Sequence, residues 1–183
     1  FWFGRTGEPG FGQARSEWFR KDVAFDDQIR SRFLPSVEAA LAGQLAAWAA
    51  ERQGLLALLI LLDQFPRNLF RGEAKAFAGD PQARQLAGTA LDQAWDKGLS
   101  AVEKLFIYLP LEHSEALADQ ERSVALFSAL AAEHPGCDGF LDYARRHHEV
   151  IARFGRFPHR NAALGRPSTP EETSYLAQPG SGF

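Results

Sequence analysis

The stretch Gln53 to Asn68, QGLLALLILLDQFPRN, decides the fold class. From Leu55 to Leu62 it is apolar almost all round, the mark of a helix buried on most of its sides. The run is far too short to span a bilayer. It stops on two polar residues, Asp63 and Gln64, and Pro66 then removes a backbone donor and forces a bend. A carboxylate at the end of such a helix is costly to desolvate unless it is paired. Arg67, four residues on, is the cheapest partner if the helical turn survives the proline. Asn68 and Arg71 follow, so the bend carries a polar cluster that either ties itself down or serves a ligand.

Outward from this stretch the period is helical nearly everywhere. Between Asp26 and Trp48, apolar residues fall at Ile29, Phe33, Val37, Leu41, Leu45 and Trp48, and Pro35 is expected to kink or split that run. Asp80-Pro81 reads as a cap and first helical residue, opening a helix to Trp95 that stops before Gly98. Ser100 and Glu103 form a capping box before Ala101 to Tyr108, with Pro110 as the expected stop. Further helices fit Asp119 to Glu133 and Asp138 to Phe154, and Thr169-Pro170-Glu171-Glu172 caps a short last one. No alternating, β-branched segment is bounded by hairpin turns. The expected class is all-α: antiparallel helix hairpins, stacked like a helical solenoid although no fixed-period repeat is visible.

The bulk composition sets outer bounds. A chain of 183 residues that is 45% hydrophobic and 23% charged is most economically one domain over residues 1–183, with a sizeable core. A net charge of -3 and a pI of about 6.0 provide no global field for nucleic acid or an anionic membrane, so neither is expected as a partner. Cys137 is the only cysteine, which excludes an intramolecular disulfide and suits the cytoplasm. No signal stretch opens the chain. It contains no methionine, so its first helix is expected to be truncated at the N-terminal end.

Two further segments concentrate polar chemistry. Arg153 to Arg166, RFGRFPHRNAALGR, holds Arg153, Arg156, Arg160 and Arg166 with His159 and Asn161, and no acid lies between Glu149 and Glu171. Guanidinium groups are rigid forks suited to carboxylate or phosphate, so they must meet carboxylates from elsewhere in the fold or an external anion. LPLEHSE, Leu109 to Glu115, offers His113, Ser114 and Glu115, a base, a hydroxyl and a carboxylate. Ser114 lacks a nucleophile-elbow context, and capping of the next helix is its simpler role. His147 lies on the apolar stripe of its helix, as a buried, hydrogen-bonded histidine would. The histidines show neither zinc-helix spacing nor cysteine partners, and no Gly-rich phosphate loop is present, so neither a metal nor a cofactor is expected.

These segments carry a resemblance. LLDQFPRNLFRG, LPLEHSE with Gln120, and RFGRFPHRNAALGRPSTPEE look like the signature of an uncharacterised, mainly bacterial domain-of-unknown-function family. The likeness extends to the opening FWFG, to WFRKDVAFD at Trp18 to Asp26, and to the closing PGSGF. It implies a tetratricopeptide-like array of helix hairpins and brings no established activity. Carried over residue by residue, the family's polar motifs fall on Asp63, Gln64, Arg67, Asn68, His113, Ser114, Glu115, His147, Arg153, Arg156, His159, Arg160, Asn161 and Arg166.

Three functions compete. The first is a helical binding protein whose pocket, built from these motifs, receives a small anionic ligand or an acidic peptide. The second is a hydrolase-type enzyme with His113 or His159 as general base, oriented by Glu115 or Asp63. The third is a structural protein whose motifs are internal ion pairs. At least one arginine among Arg153, Arg156 and Arg160 is expected to contact Asp63 or Glu115, directly or through water. A closed, dry cluster in which each arginine meets a carboxylate favours the structural reading, and an open cleft with unpaired guanidinium groups favours the binding reading. A histidine bonded to a carboxylate and facing an open cleft favours the enzyme.

Overall fold

The computed structural model describes residues 1–4, 7–8 and 10–182, and every regular element among them is helical. Beside four short 3-10 turns, these are in order α1 (Val23–Leu41), α2 (Arg52–Leu59), a π-turn (Ile60–Gln64), α3 (Phe65–Leu69), α4 (Asp80–Asp92), α5 (Ala101–Glu112), α6 (Leu117–Glu133), α7 (Asp138–Phe154) and α8 (Pro170–Leu176). The all-α class and the single domain are as the periodicity implies. Helix α5 is the hub, packing on α2, α4, α6 and α7, and it is buried without a break from Leu105 to Glu112. The most extensive pairing is that of α6 with α7.

The core takes the apolar faces that the spacing marks out: Phe25, Ile29 and Val37 from α1, Leu55 to Leu62 without Ala57 from α2 and the π-turn, and Phe127 and Leu130 from α6. The opening residues join it. Trp2 stacks 5.7 Å from Trp18 and meets the edge of Phe106 at 5.4 Å, and Phe1 lies 5.2 Å from Phe25. Fully burying one large apolar side chain contributes about 1.5–3 kcal/mol, so this aromatic group anchors the N-terminal segment firmly. Of the closing PGSGF, Phe183 lies outside the described residues.

Several helix ends differ from expectation. Pro35 lies inside an unbroken α1, because the residue whose carbonyl loses its donor, Ser31, is exposed to water. That helix ends at Leu41 instead of running on to Trp48, because Gly43, at φ 74°, takes the left-handed conformation that closes it. Pro110 does not stop α5, which continues to Glu112. It sits in the last turn, and the His113 N–H donates to the Leu109 carbonyl at 2.8 Å just beyond it. Helix α6 opens at Leu117, two residues before Asp119, and α4 ends at Asp92, short of Trp95.

The bend after the Leu-rich helix is a π-turn, in which the Phe65 N–H reaches back five residues to the Ile60 carbonyl. The wider turn carries Asp63 and Gln64 inward, and both are buried. Pro66 has no N–H to offer the Leu62 carbonyl four residues earlier. The chain brings Gly79 against that carbonyl so closely that a Cβ there would run into the Leu62 oxygen. This approach sets Asp80, the next residue, beside the π-turn. Gly79→Ala is therefore expected to lower stability by about 1–3 kcal/mol through overpacking. A urea midpoint that drops with unchanged slope would report it. Gly88→Ala is the control, since nothing lies within 4 Å of a Cβ at that position.

Candidate functional site

Asp63 is the centre of the polar network. Its Oδ1 lies 2.7 Å from His113 Nδ1 and 3.2 Å from an Arg67 nitrogen, and Gln64 Nε2 donates to Oδ2 at 2.5 Å. The Asp63–Arg67 pair is the one that the four-residue spacing suggests. Burial pushes the Asp63 carboxyl up, but the Arg67 charge and then His113 outweigh it and hold it well below the usual carboxylate range. Burial and the same arginine lower His113, so this ring is neutral at neutral pH. An ionised Asp63 can only accept, which fixes the tautomer: Nδ1–H donates to it, and Nε2 keeps its lone pair. The ring makes no other hydrogen bond among the described residues.

Arg67 extends the network. Its guanidinium also forks onto Asp80 at 2.9 and 3.0 Å, and Arg160 donates to the same Asp80 carboxylate at 3.1 Å. Asp80 is thus no helix cap. Gly79 holds that position, and the Asp80 carboxylate bridges two cations distant in sequence. The Arg160 guanidinium sits over the rings of Phe77 and Phe157, 4.7 and 4.4 Å from their centres, in a cation–π sandwich. Burial, and then the Arg67 charge, brings its pKa down to about 10. Arg160 therefore joins Asp63 through Asp80 and Arg67 and makes no direct contact with Asp63 or Glu115, because Asp80 takes its guanidinium.

These side chains form one wall of a cleft of about 930 Å³. Gln64, Arg67, Asn68, His113, His147, His159 and Arg160 all line it, so three sequence-distant motifs do converge. Five arginines line the cleft, counting Arg20, Arg71 and Arg146, and the single carboxyl in its described lining is that of Glu112. Glu112 is buried, with Oε1 3.1 Å from His147 Nδ1, an atom that also lies 2.9 Å from the Tyr143 carbonyl. Burial and the Asp63 charge push the Glu112 carboxyl up to about 8, so it is protonated at neutral pH. Burial, then Arg160 and Arg67, brings His159 down to about 4, and burial holds His147 still lower. The cleft wall is thus rich in guanidinium groups, those of Arg67, Arg71 and Arg160 paired with Asp63, Asp26 and Asp80, with neutral imidazoles between them. No group of three or more metal-ligating side chains is placed to hold an ion among the described residues.

The rest of the arginine motif goes elsewhere. Arg166 forks onto Glu115 at 2.7 and 2.9 Å, and the Phe157 N–H also donates to Glu115. Arg156 grips Glu172 at 2.6 and 2.8 Å, and Arg153 meets Glu171 at 2.9 Å. Asn161 joins both sets, accepting from Arg166 and donating to Glu172. These pairs fasten α8 and its preceding loop to the end of α7. Ser114 donates to Asp119 at 2.6 Å and accepts from the Ala116 N–H, so it supports the α6 entrance and touches no histidine. Asp80 and Glu172 were missed as network members. Both read as local caps, and only the tertiary approach of α7 and its loop reveals their partners.

The model of a family described as "Bacterial protein of unknown function (DUF924)" matches residues 1–180. Among solved structures, the chain is similar to a protein of unknown function, ATU0120, from Agrobacterium tumefaciens. The TM-score is 0.81 at 43% identity, over 88% of each chain. No curated protein matches.

Two predictions arise from the network. Asp63→Ala removes the buried acceptor shared by Arg67, His113 and Gln64, although Asp80 still holds Arg67, and is expected to cost about 3–5 kcal/mol, against roughly half a kcal/mol for an exposed aspartate. Denaturant titration beside an Asp27→Ala control, an exposed position, measures the difference. The second concerns pH. A carboxyl raised from 4.5 to about 8 binds its proton more tightly in the folded state. Its contribution to stability is complete below the unfolded pKa and is lost as pH rises toward 8. Glu112→Gln should therefore flatten the decline in stability between pH 6.5 and 8. Urea midpoints across that window provide the test, and an unchanged slope would mean that Glu112 is ionised throughout.

Proposed function

The chain belongs to the DUF924 family of bacterial proteins of unknown function, and we propose that its arginine-lined cleft binds a small anion and presents it to His113 as a general base. One observation carries this reading: the 2.7 Å hydrogen bond from His113 Nδ1 to the buried Asp63, at the wall of an open cleft. The pair leaves Nε2 as a basic atom with no hydrogen-bond partner among the described residues, on a ring whose tautomer is fixed. General-base catalysis requires this arrangement. Arg20, which has no carboxylate partner among the described residues, favours negative charge in the ligand, whereas Arg67, Arg71 and Arg160 are matched by Asp63, Asp26 and Asp80. A volume near 930 Å³ suits a small molecule better than an acidic peptide.

In a hydrolytic step, His113 Nε2 would take a proton from water while the water oxygen forms the new bond to the electrophilic centre. The leaving group then departs with the electrons of the broken bond. Asp63 and Arg67 are positioning groups in this scheme, acting through His113. Glu115 and Ser114 have no part in it, since their partners are Arg166 and Asp119. A structural role suits Arg153, Arg156, Asn161 and Arg166, on the observation that each is engaged by its own carboxylate or amide partner. The consecutive pairing of α4, α5, α6 and α7 supports a tetratricopeptide-like stacking, and the lone, buried Cys137 supports a cytoplasmic setting.

Histidine ring resonances, followed by NMR during titration with orthophosphate and pyrophosphate, test the proposal. An anion held in the cleft should shift His113 and His159 selectively and raise their pKa values. His134 and His148, neither of which lines the cleft, should stay unmoved. Uniform small shifts of all five rings would overturn it.

A further inference from the structure

The cleft has a second chemical character at its rim. Most aromatic rings of this fold are buried or half-buried, yet Phe19 is 56% exposed and Tyr143 is 52% exposed, and both line the cleft. They belong to one strip. Phe19 lies 6.5 Å from Phe140, and Tyr143 follows Phe140 by three residues on α7, one turn along the same face. Two arginines accompany the strip. The Arg146 guanidinium lies 5.1 Å over the Tyr143 ring. Arg20 touches only the Ser16 hydroxyl and has no carboxylate partner among the described residues. Exposed rings beside guanidinium groups form a surface on which a flat, electron-rich ring stacks.

Size points the same way. Phosphate or a small carboxylate would leave most of 930 Å³ to water, whereas pockets of roughly 300–1,000 Å³ hold molecules the size of a nucleotide. The inner wall, with Arg67, Arg160 and His113, suits the anionic end. The rim, with Phe19, Tyr143 and Arg20, suits a ring. Resting on the anion-binding reading, we infer that the ligand is an anion joined to a flat ring, of the chemical class of a nucleoside phosphate, with the ring stacked at the Phe19–Tyr143 rim. Phe140 anchors the strip against the core, whereas Phe19 and Tyr143 lie outside it, so the exposure of these two rings is explained by a ligand better than by folding.

Calorimetric titration with separated halves of the ligand tests this. The probes are the four common 5′-mononucleotides, their nucleosides, ribose 5-phosphate and orthophosphate, against the parent protein, Phe19→Ala and Tyr143→Ala. At least one mononucleotide should bind roughly tenfold or more tightly than both its nucleoside and ribose 5-phosphate, the range that base stacking supplies. Each rim substitution should bring that nucleotide down to the ribose 5-phosphate level and leave ribose 5-phosphate unchanged. Exposed as these two residues are, thermal unfolding of the variants should match the parent. Ribose 5-phosphate binding as tightly as every mononucleotide would overturn the ring inference and leave the anion reading standing. Nucleosides binding as tightly as their phosphates, or no binding by any probe, would overturn both.

Discussion

A single buried carboxylate organises this molecule. Asp63 sits at the end of the most apolar helix of the chain, where an unpaired charge could not be sustained. It is sustained because Arg67, His113 and Gln64 all turn toward it. Each of those is then constrained in turn. Arg67 is fixed well enough to share Asp80 with Arg160, which draws the loop after α7 across to α4. His113 is left with one defined tautomer. The same negative charge, acting with burial, keeps the neighbouring Glu112 protonated. Without Asp63, neither the guanidinium-rich wall nor the oriented histidine would have a reason to exist where they do.

Much of the fold was legible because helical period and capping are local properties. The Ser100–Glu103 and Thr169–Glu172 capping boxes form with the reciprocal hydrogen bonds that the sequence announces. Prolines were less legible. Pro35 and Pro110 both look like helix breakers, yet the cost of one lost bond depends on whether water or a neighbouring turn relieves it, and that is not written locally. The site was half legible. The Asp63–Arg67 pair follows from spacing, and the clustering of the three polar segments follows from charge mismatch. That Arg160 would find Asp80 does not follow, since an aspartate before a proline announces a cap and nothing more.

The motif RFGRFPHRNAALGR looked like one cationic block and is two devices. Gly155, at φ 69°, closes α7 in the left-handed conformation, and the following residues divide about Phe157, whose ring is fully buried. Arg156, Asn161 and Arg166 point into a closed lattice with Glu115 and Glu172. His159 and Arg160 point the other way, into the cleft. Phe157 joins the two: its backbone binds the lattice through Glu115 and Arg166, while its ring supports the Arg160 guanidinium. A rigid lattice behind a cleft residue is how a fold holds a long, flexible side chain in one place.

The π-turn at Ile60–Gln64 decides which faces α2 and α3 present. A hydrogen bond that spans five residues in place of four fits one more residue into the turn than a regular α-helix does. Each residue advances a helix by roughly 100°, so the side chains on the two sides of the turn do not share the face that an unbroken α-helix would give them. A regular turn in its place would direct a different side of this segment at α5 and carry Asp63 away from His113. The most polar feature of the interior owes its place to the width of a single turn.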